Sequence, residues 1–310
     1  MNIPESFFCS EVREGFLIEE IMKRYWACTM EIVERIDQIC KKYGLTYYAD
    51  WGTLLGAVRH NGYIPWDDDI DLAMKRPDYQ KLLSVLPKEL PEGYLINTCF
   101  TNPAHKQFFT GITNGSAMDL SKEHLASNYN CPFVAMIDIF PLDYVPRDPE
   151  EAAVVKELFI IVWEAVTKIY QNAPKEEIEM SVVEVEHFLK VKIDRDKPMI
   201  GQLWKYANLL AMSYTEEDGD YLTQWCSYIN TNEKFKLKKE WYENAQKVPF
   251  ECMEIAIPNG YDEILKLMYG EKYHIPLREP SGHDYPAFKA QLELLRKKVK
   301  EMQDERENGK

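Results

Sequence analysis

Apolar side chains recur at Ile21, Tyr25, Ile32, Ile36, Ile39, Cys40 and Tyr43, which is helical spacing, and Gly44 follows as a stop. The pattern predicts a helix over 16–43, then a short strand over Leu45 to Ala49. Trp51 to His60 reads as a Gly-Thr turn entering a short helix, and Asn61-Gly62 as a turn. Asp69 to Met74 alternates acidic and apolar residues as a strand does. Pro77 opens a helix through Leu86, with proline in its first turn. Tyr94 to Cys99, Lys106 to Thr113 and Ala135 to Phe140 are further strands, the last ended by Pro141. From Asp148 the texture changes. Asp148-Pro149-Glu150-Glu151 supplies a cap, a first-turn proline and two acids, and helical patterns run to about Asn230. Val248 to Pro258 is a strand, Tyr261 to Tyr269 a helix after the Asn259-Gly260 turn, and the tail from about Tyr285 a charged helix fraying at Asn308-Gly309. The sum is an α+β chain in three parts: a mixed-sheet core over 1–147, a helical accessory region over 148–245, and a strand–helix return over 246–310.

A length of 310 residues supports a substantial core, and 45% hydrophobic with 28% charged residues is ordinary for a globular protein. The net charge of −14 opposes broad nucleic-acid binding, which needs a basic footprint. It leaves room for a local basic pocket. The seven cysteines are scattered with no C-x-x-C pair, so they read as thiols in a reducing compartment rather than a zinc site or a disulfide framework. The first residues show no basic stretch followed by an apolar core, and Leu158 to Trp163 is far too short for a membrane span. The expectation is a cytoplasmic protein, with peripheral contact at the inner face of the membrane left open.

Asp67-Asp68-Asp69-Ile70-Asp71 places four carboxylates in five residues. On a strand Asp69 and Asp71 share a face, while Ile70 and Leu72 face the core. Two carboxylates about 4 Å apart repel by roughly 4 kcal/mol at a near-surface dielectric, and a divalent cation turns that repulsion into attraction. An acidic run is usually a solvated turn. Here Ile64-Pro65-Trp66 precedes it, apolar and stiff, so the acids end a packed element. A calcium loop is excluded because Leu72 occupies the place of its sharp-turn glycine. Gly52-Thr53 adds a close-approach glycine, a hydroxyl and a helix N-terminus suited to phosphate. Arg59 and His60, which alone read equally well as surface residues, complete a phosphate-and-metal constellation. Asp138, alone between Ile137 and Ile139, is the candidate third acid and proton acceptor; Asp119 reads as a turn cap, and Asp143 as lying beyond the strand.

Tyr47 to Met74 (YYADWGTLLGAVRHNGYIPWDDDIDLAM) closely resembles the signature of the LicD family, whose animal relatives include fukutin-related proteins. The similarity continues in Met136 to Pro146 and in Val248 to His283, and leaves 150–245 without recognisable motifs. The resemblance implies a nucleotidyltransferase fold, with a mixed sheet core and a helical accessory region. It implies metal-dependent transfer of a phosphoryl-linked alcohol such as phosphocholine from a CDP-activated donor to a glycan or lipid-linked glycan acceptor, with release of CMP. Carried over residue by residue, the metal and catalytic acids become Asp69, Asp71 and Asp138, holding Mg²⁺ or Mn²⁺, and the donor-binding turn becomes Gly52-Thr53, with Arg59 and His60 beside it. Thr53 stands where the general fold has Ser or Gly. Two other enzymes fit the same acids: a D-x-D glycosyltransferase, which releases a nucleoside diphosphate, and a nucleotidyltransferase that makes the activated alcohol and releases pyrophosphate. A binding module without chemistry would tolerate loss of Asp69. The 150–245 stretch is expected to form the acceptor-facing wall. His283 and Lys106 are open questions for the site, and Arg296 to Lys300 reads as a solvated helix face.

Overall fold

The computed structural model describes residues 1–229, 235–278 and 285–307. Chain direction first reverses in a hairpin of β1 (Glu11–Arg13) and β2 (Phe16–Ile18), so the helix expected from residue 16 begins later. It runs as α1 (Glu20–Tyr43) and buries Met22, Tyr25, Trp26, Ile32, Val33, Ile36 and Cys40. Gly44 closes it with φ +65°, a backbone state that favours glycine, and bonds back to the Cys40 carbonyl.

The sheet is mixed. β3 (Tyr48–Ala49), α2 (Trp51–His60), β4 (Asp71–Lys75), α3 (Arg76–Glu89), β5 (Leu95–Asn97), β6 (Thr110–Thr113), α4 (Lys122–Ser127) and β7 (Met136–Val145) follow in sequence. The spatial order is β3-β4-β7-β6-β5, with β4 and β7 parallel and the other neighbours antiparallel. The expected α+β class with a mixed sheet core is the class observed. β7 continues through Pro141 to Val145, against the expectation that this proline ends the strand. β6 pairs residues 136–139 and β8 (Tyr221–Thr223) pairs residues 143–145, so Pro141 lies in the interval between two partners, where a missing N–H costs least.

Helices follow as α5 (Pro149–Tyr170), α6 (Lys175–Leu189) and α7 (Met199–Ala211), then β8, α8 (Trp225–Tyr228) and β9 (Leu237–Lys238). The Asp148 side chain caps α5 by accepting from the amides of Glu150 and Glu151. Phe159, Val162, Val182, Leu203, Trp204 and Trp225 build a second apolar cluster beside the main one. The Val248–Pro258 stretch is a hairpin and not one strand: β10 (Ala245–Phe250) turns at Glu251, φ +50°, into β11 (Met253–Pro258). α9 (Tyr261–Tyr269) and α10 (Lys289–Glu307) complete the chain; Asn308 and Gly309 lie outside the described residues.

Buried Arg76, at the start of α3, ties the two clusters together. It donates to both Asp143 oxygens, at 2.6 and 2.7 Å, and to Asn208 Oδ1 of α7 at 2.9 Å. Burial works to lower the Arg76 pKa, and Asp143 more than offsets it. Asp143, expected beyond the strand, therefore sits inside β7 as the fixed partner of this cation.

Candidate active site

The turn from β3 into α2 is fastened directly to the first residue of β4. Asp50 N–H donates to the Asp71 carbonyl at 3.0 Å, and Asp71 N–H donates to Thr53 Oγ1 at 2.9 Å. Trp51 between them has φ +44°, a costly conformation for a bulky residue. Gly52 lets the acid come close: a Cβ there would lie 2.5 Å from Asp67 Oδ2, and the carboxylate would have to shift. The acidic run is held from the other side by α1. Trp26 stacks on Tyr63, with centroids 4.3 Å apart, and its Nε1–H donates to the Asp67 carbonyl at 3.2 Å.

These constraints deliver Asp67, Asp69 and Asp71 to one cleft of about 1240 Å³. β4 begins only at Asp71, so Asp69 is placed by the lead-in to the strand and not by its pleat. Asp71 and Asp138 are register partners across β4 and β7, and Gly111 of β6 flanks Asp138, where a Cβ would lie 3.3 Å from its Oδ1. Burial pushes the Asp71 carboxyl well up, helped by Asp69, Asp138, Asp50 and Asp67. Asp67 is raised likewise by burial and by Asp69 and Asp68. Asp67, Asp68 and Asp69 each bring one oxygen within 4.8 Å of the others. Such a set, all hard oxygen donors drawn close together, fits a hard divalent cation.

The sequence-expected residues divide on inspection. Gly52, Arg59, Asp69 and Asp71 line the cleft. Thr53 is buried, and its oxygen accepts the Asp71 amide, so it positions an acid where a phosphate contact was expected. His60 is turned to Glu14, with Nε2 3.1 Å from Oε1, and is absent from the cleft lining described; burial and then Arg59 lower its pKa. Arg59 itself donates to the Tyr273 carbonyl at 2.9 Å. Asp138 sits beside Asp71 on the neighbouring strand and is not among the lining residues described. Asp119 is exposed and accepts from the Ser121 amide at 2.7 Å, as a turn cap does. The Lys106 side chain is exposed away from the cleft lining, and His283 lies outside the described residues.

Further contributors escaped the sequence reading. Asp67, named in the acidic run but not chosen among the metal acids, lines the same cleft. Asp50 is fully buried, and its carboxyl is pushed up to about 6 by burial. Lys272 and Arg278 bring cationic groups, and Trp51, Trp66, Phe140, Tyr269, Tyr273 and Tyr285 bring aromatic rings. The lining described draws on residues 16–140 and 268–285, so the helices of 148–245, expected as the acceptor wall, contribute none of it. The cleft thus combines a carboxylate cluster, three cationic side chains and an aromatic surface.

Residues 44–149 match the family described as LicD/FKTN/FKRP, nucleotidyltransferase domain. The chain carries a LicD domain. A lipopolysaccharide cholinephosphotransferase, LicD, of Haemophilus influenzae is 26% identical over 262 residues, covering 81% of this chain and 90% of that protein. Uncharacterized proteins of Rickettsia prowazekii and Rickettsia typhi are each 36% identical over shorter stretches, 67 and 66 residues, covering 22% and 21% of this chain and 25% and 21% of their own lengths. The LicD domain as matched holds all the aspartates named above, together with Gly52, Trp51 and Arg59. Lys272, Arg278 and the tyrosines at 269, 273 and 285 lie beyond it, so the LicD domain alone does not enclose the cleft. The signal for them in the sequence is the motif-like run through Tyr269, Tyr273 and Arg278, whose basic and aromatic residues had no partner until folding brought them to the acids.

Proposed function

We propose that this protein transfers a phosphoryl-linked alcohol of the phosphocholine type from a CDP-activated donor to a hydroxyl of a cell-surface glycan, releasing CMP. One observation carries the reading: carboxylates at Asp67, Asp69 and Asp71 share a cleft with Arg59, Lys272 and Arg278. Acids alone suit a cation, and bases alone suit an anion. Together in one cavity they suit a metal–phosphate pair. The named activity of the Haemophilus relative supports the same class of reaction. The rings of Trp51, Trp66, Tyr269, Tyr273 and Tyr285 favour a quaternary ammonium on the transferred alcohol, since such cations are held by aromatic faces.

Asp69 and Asp71, with Asp67 beside them, would hold Mg²⁺ or Mn²⁺, which when bound supplies charge neutralisation at phosphate oxygens. Arg59, Lys272 and Arg278 neutralise the remaining phosphate charge and orient the donor. The acceptor hydroxyl oxygen forms a bond to the phosphorus that carries the alcohol, the bond from that phosphorus to the CMP oxygen breaks, and the hydroxyl proton passes to a carboxylate, for which Asp138 is the candidate. No helix among the described residues is long and apolar enough to cross a membrane. Work on a lipid-linked acceptor at the inner face of the membrane, through peripheral contact, is part of the proposal.

The test is a panel of CDP-alcohols with Mg²⁺ or Mn²⁺ and candidate glycans, with the released nucleotide identified chromatographically. CMP is expected, dependent on metal and abolished by chelation. Release of a nucleoside diphosphate from a nucleotide sugar would make the protein a glycosyltransferase, and pyrophosphate release from CTP would make it a nucleotidyltransferase.

A further inference from the structure

Gln224 and Trp225 are adjacent in the chain and serve different cores. Trp225 is fully buried in the helical cluster against Phe159 and Tyr228. Gln224, itself buried, turns the other way and reaches the turn that opens α2. Its Oε1 accepts from Trp51 Nε1 at 3.1 Å, and its Nε2 donates to Asp50 Oδ2. Phe235 packs on the same indole, with centroids 5.2 Å apart, and its carbonyl accepts from Thr223 Oγ1 at 2.8 Å. Trp51 is thus held by one segment, Thr223-Gln224 with Phe235, while its own backbone sits at φ +44°. Residues kept in that region persist where surrounding contacts over-determine them, and they concentrate at working sites. Trp51 lines the cleft immediately before Gly52.

We propose that Gln224 is a positioning residue for the transfer reaction: by fixing the Trp51 indole at its N–H and the Asp50 carboxylate at the same time, it sets the shape of the donor subsite from outside the cleft. Through this amide the helical part of the chain acts on the donor end of the reaction, without contributing to the cavity lining described. The kinetic half of this inference rests on the proposed function; the geometric half does not.

Two readouts separate them. The fluorescence difference between each protein and its Trp51→Phe counterpart isolates Trp51 among the tryptophans. In Gln224→Met, acrylamide quenching of that component should rise at least about twofold, because one anchor of the indole is gone. With CDP-alcohol as varied substrate, Gln224→Met should raise KM about tenfold while kcat changes by less than about threefold, and the Gln224→Met/Trp51→Phe double variant should be no worse than the poorer single one, as partners in one bond require. Should Gln224→Met fail to fold, Trp51→Phe removes the other end of the same bond and must raise KM by a like factor. Parental quenching in folded Gln224→Met, or raised quenching with parental KM, overturns the proposal. Absence of turnover with every CDP-alcohol would count against the proposed function alone, since quenching needs no substrate.

Discussion

At the residue scale the acids and the glycine beneath them make separable demands. Asp69→Asn and Asp71→Asn keep shape and remove charge, so each should cut turnover by about 10²-fold or more, measured as CMP release by folded protein. Near-parental rates in both would remove the metal assignment. Gly52→Ala tests position rather than charge. The added Cβ meets Asp67 Oδ2 at 2.5 Å, and a carboxylate end can swing away, so thermal stability should change little while activity falls. Melting temperature and rate, measured on one preparation, decide it. The acids also predict a pH dependence. Asp67 and Asp71 are raised by burial and by their neighbours, so the folded state keeps protons that the unfolded chain has already lost. Stability from this source is complete below the ordinary carboxylate range of about pH 4 and is lost as pH climbs through the raised folded values. Metal-free protein should melt lower at about pH 7.5 than at about pH 5, and Mg²⁺ should restore the melting temperature mainly at the higher pH, where the ligands are ionised. Asp69→Asn should flatten that slope; an unchanged slope would detach it from the cluster.

Elements were legible where one local rule sufficed. Helices α1, α2, α3, α5 and α9 follow apolar spacing and recognisable ends, such as the Asp148 cap and the Gly44 stop. The acid run and the Gly52 turn could be picked out from the apolar residues around them, and both reach the cleft, whereas Asp138, singled out in the same way, is not among the lining residues described. What stayed hidden depended on pairing. Pro141 reads as a stop until the interval between β6 and β8 is seen, and Val248–Pro258 reads as one strand until Glu251 turns the chain. Asp143 could not be assigned before Arg76, 67 residues away, was beside it. Thr53 teaches the same lesson in the site. Its hydroxyl reads as a phosphate ligand, and folding gives it the Asp71 amide. Thr53→Val should therefore cost about 1–3 kcal/mol by leaving that buried N–H without its acceptor, measured by denaturant unfolding, and should lower activity through Asp71. A loss of donor affinity at parental stability would return Thr53 to the phosphate.

Across the whole molecule, Arg76 joins the sheet core to the helical cluster through Asp143 and Asn208. Asp143→Asn leaves a buried guanidinium without its counter-charge and should destabilise by about 3–5 kcal/mol, seen as a lower denaturation midpoint. Asn208→Ala should cost less, because Asp143 remains. A small effect of Asp143→Asn would mean that the two clusters are held together elsewhere. The cleft, for its part, is assembled from distant stretches of chain: the acids by Asp71, the late cations by Lys272 and Arg278. On a ribosome adding about 5–20 residues per second, roughly ten to forty seconds separate the synthesis of Asp71 from that of Arg278. Throughout that interval the nascent chain displays a crowded set of negative charges with no late-arriving base to offset them. On the proposed function, such a chain would attract a cation before it could hold a nucleotide, and competence for the donor would arrive last.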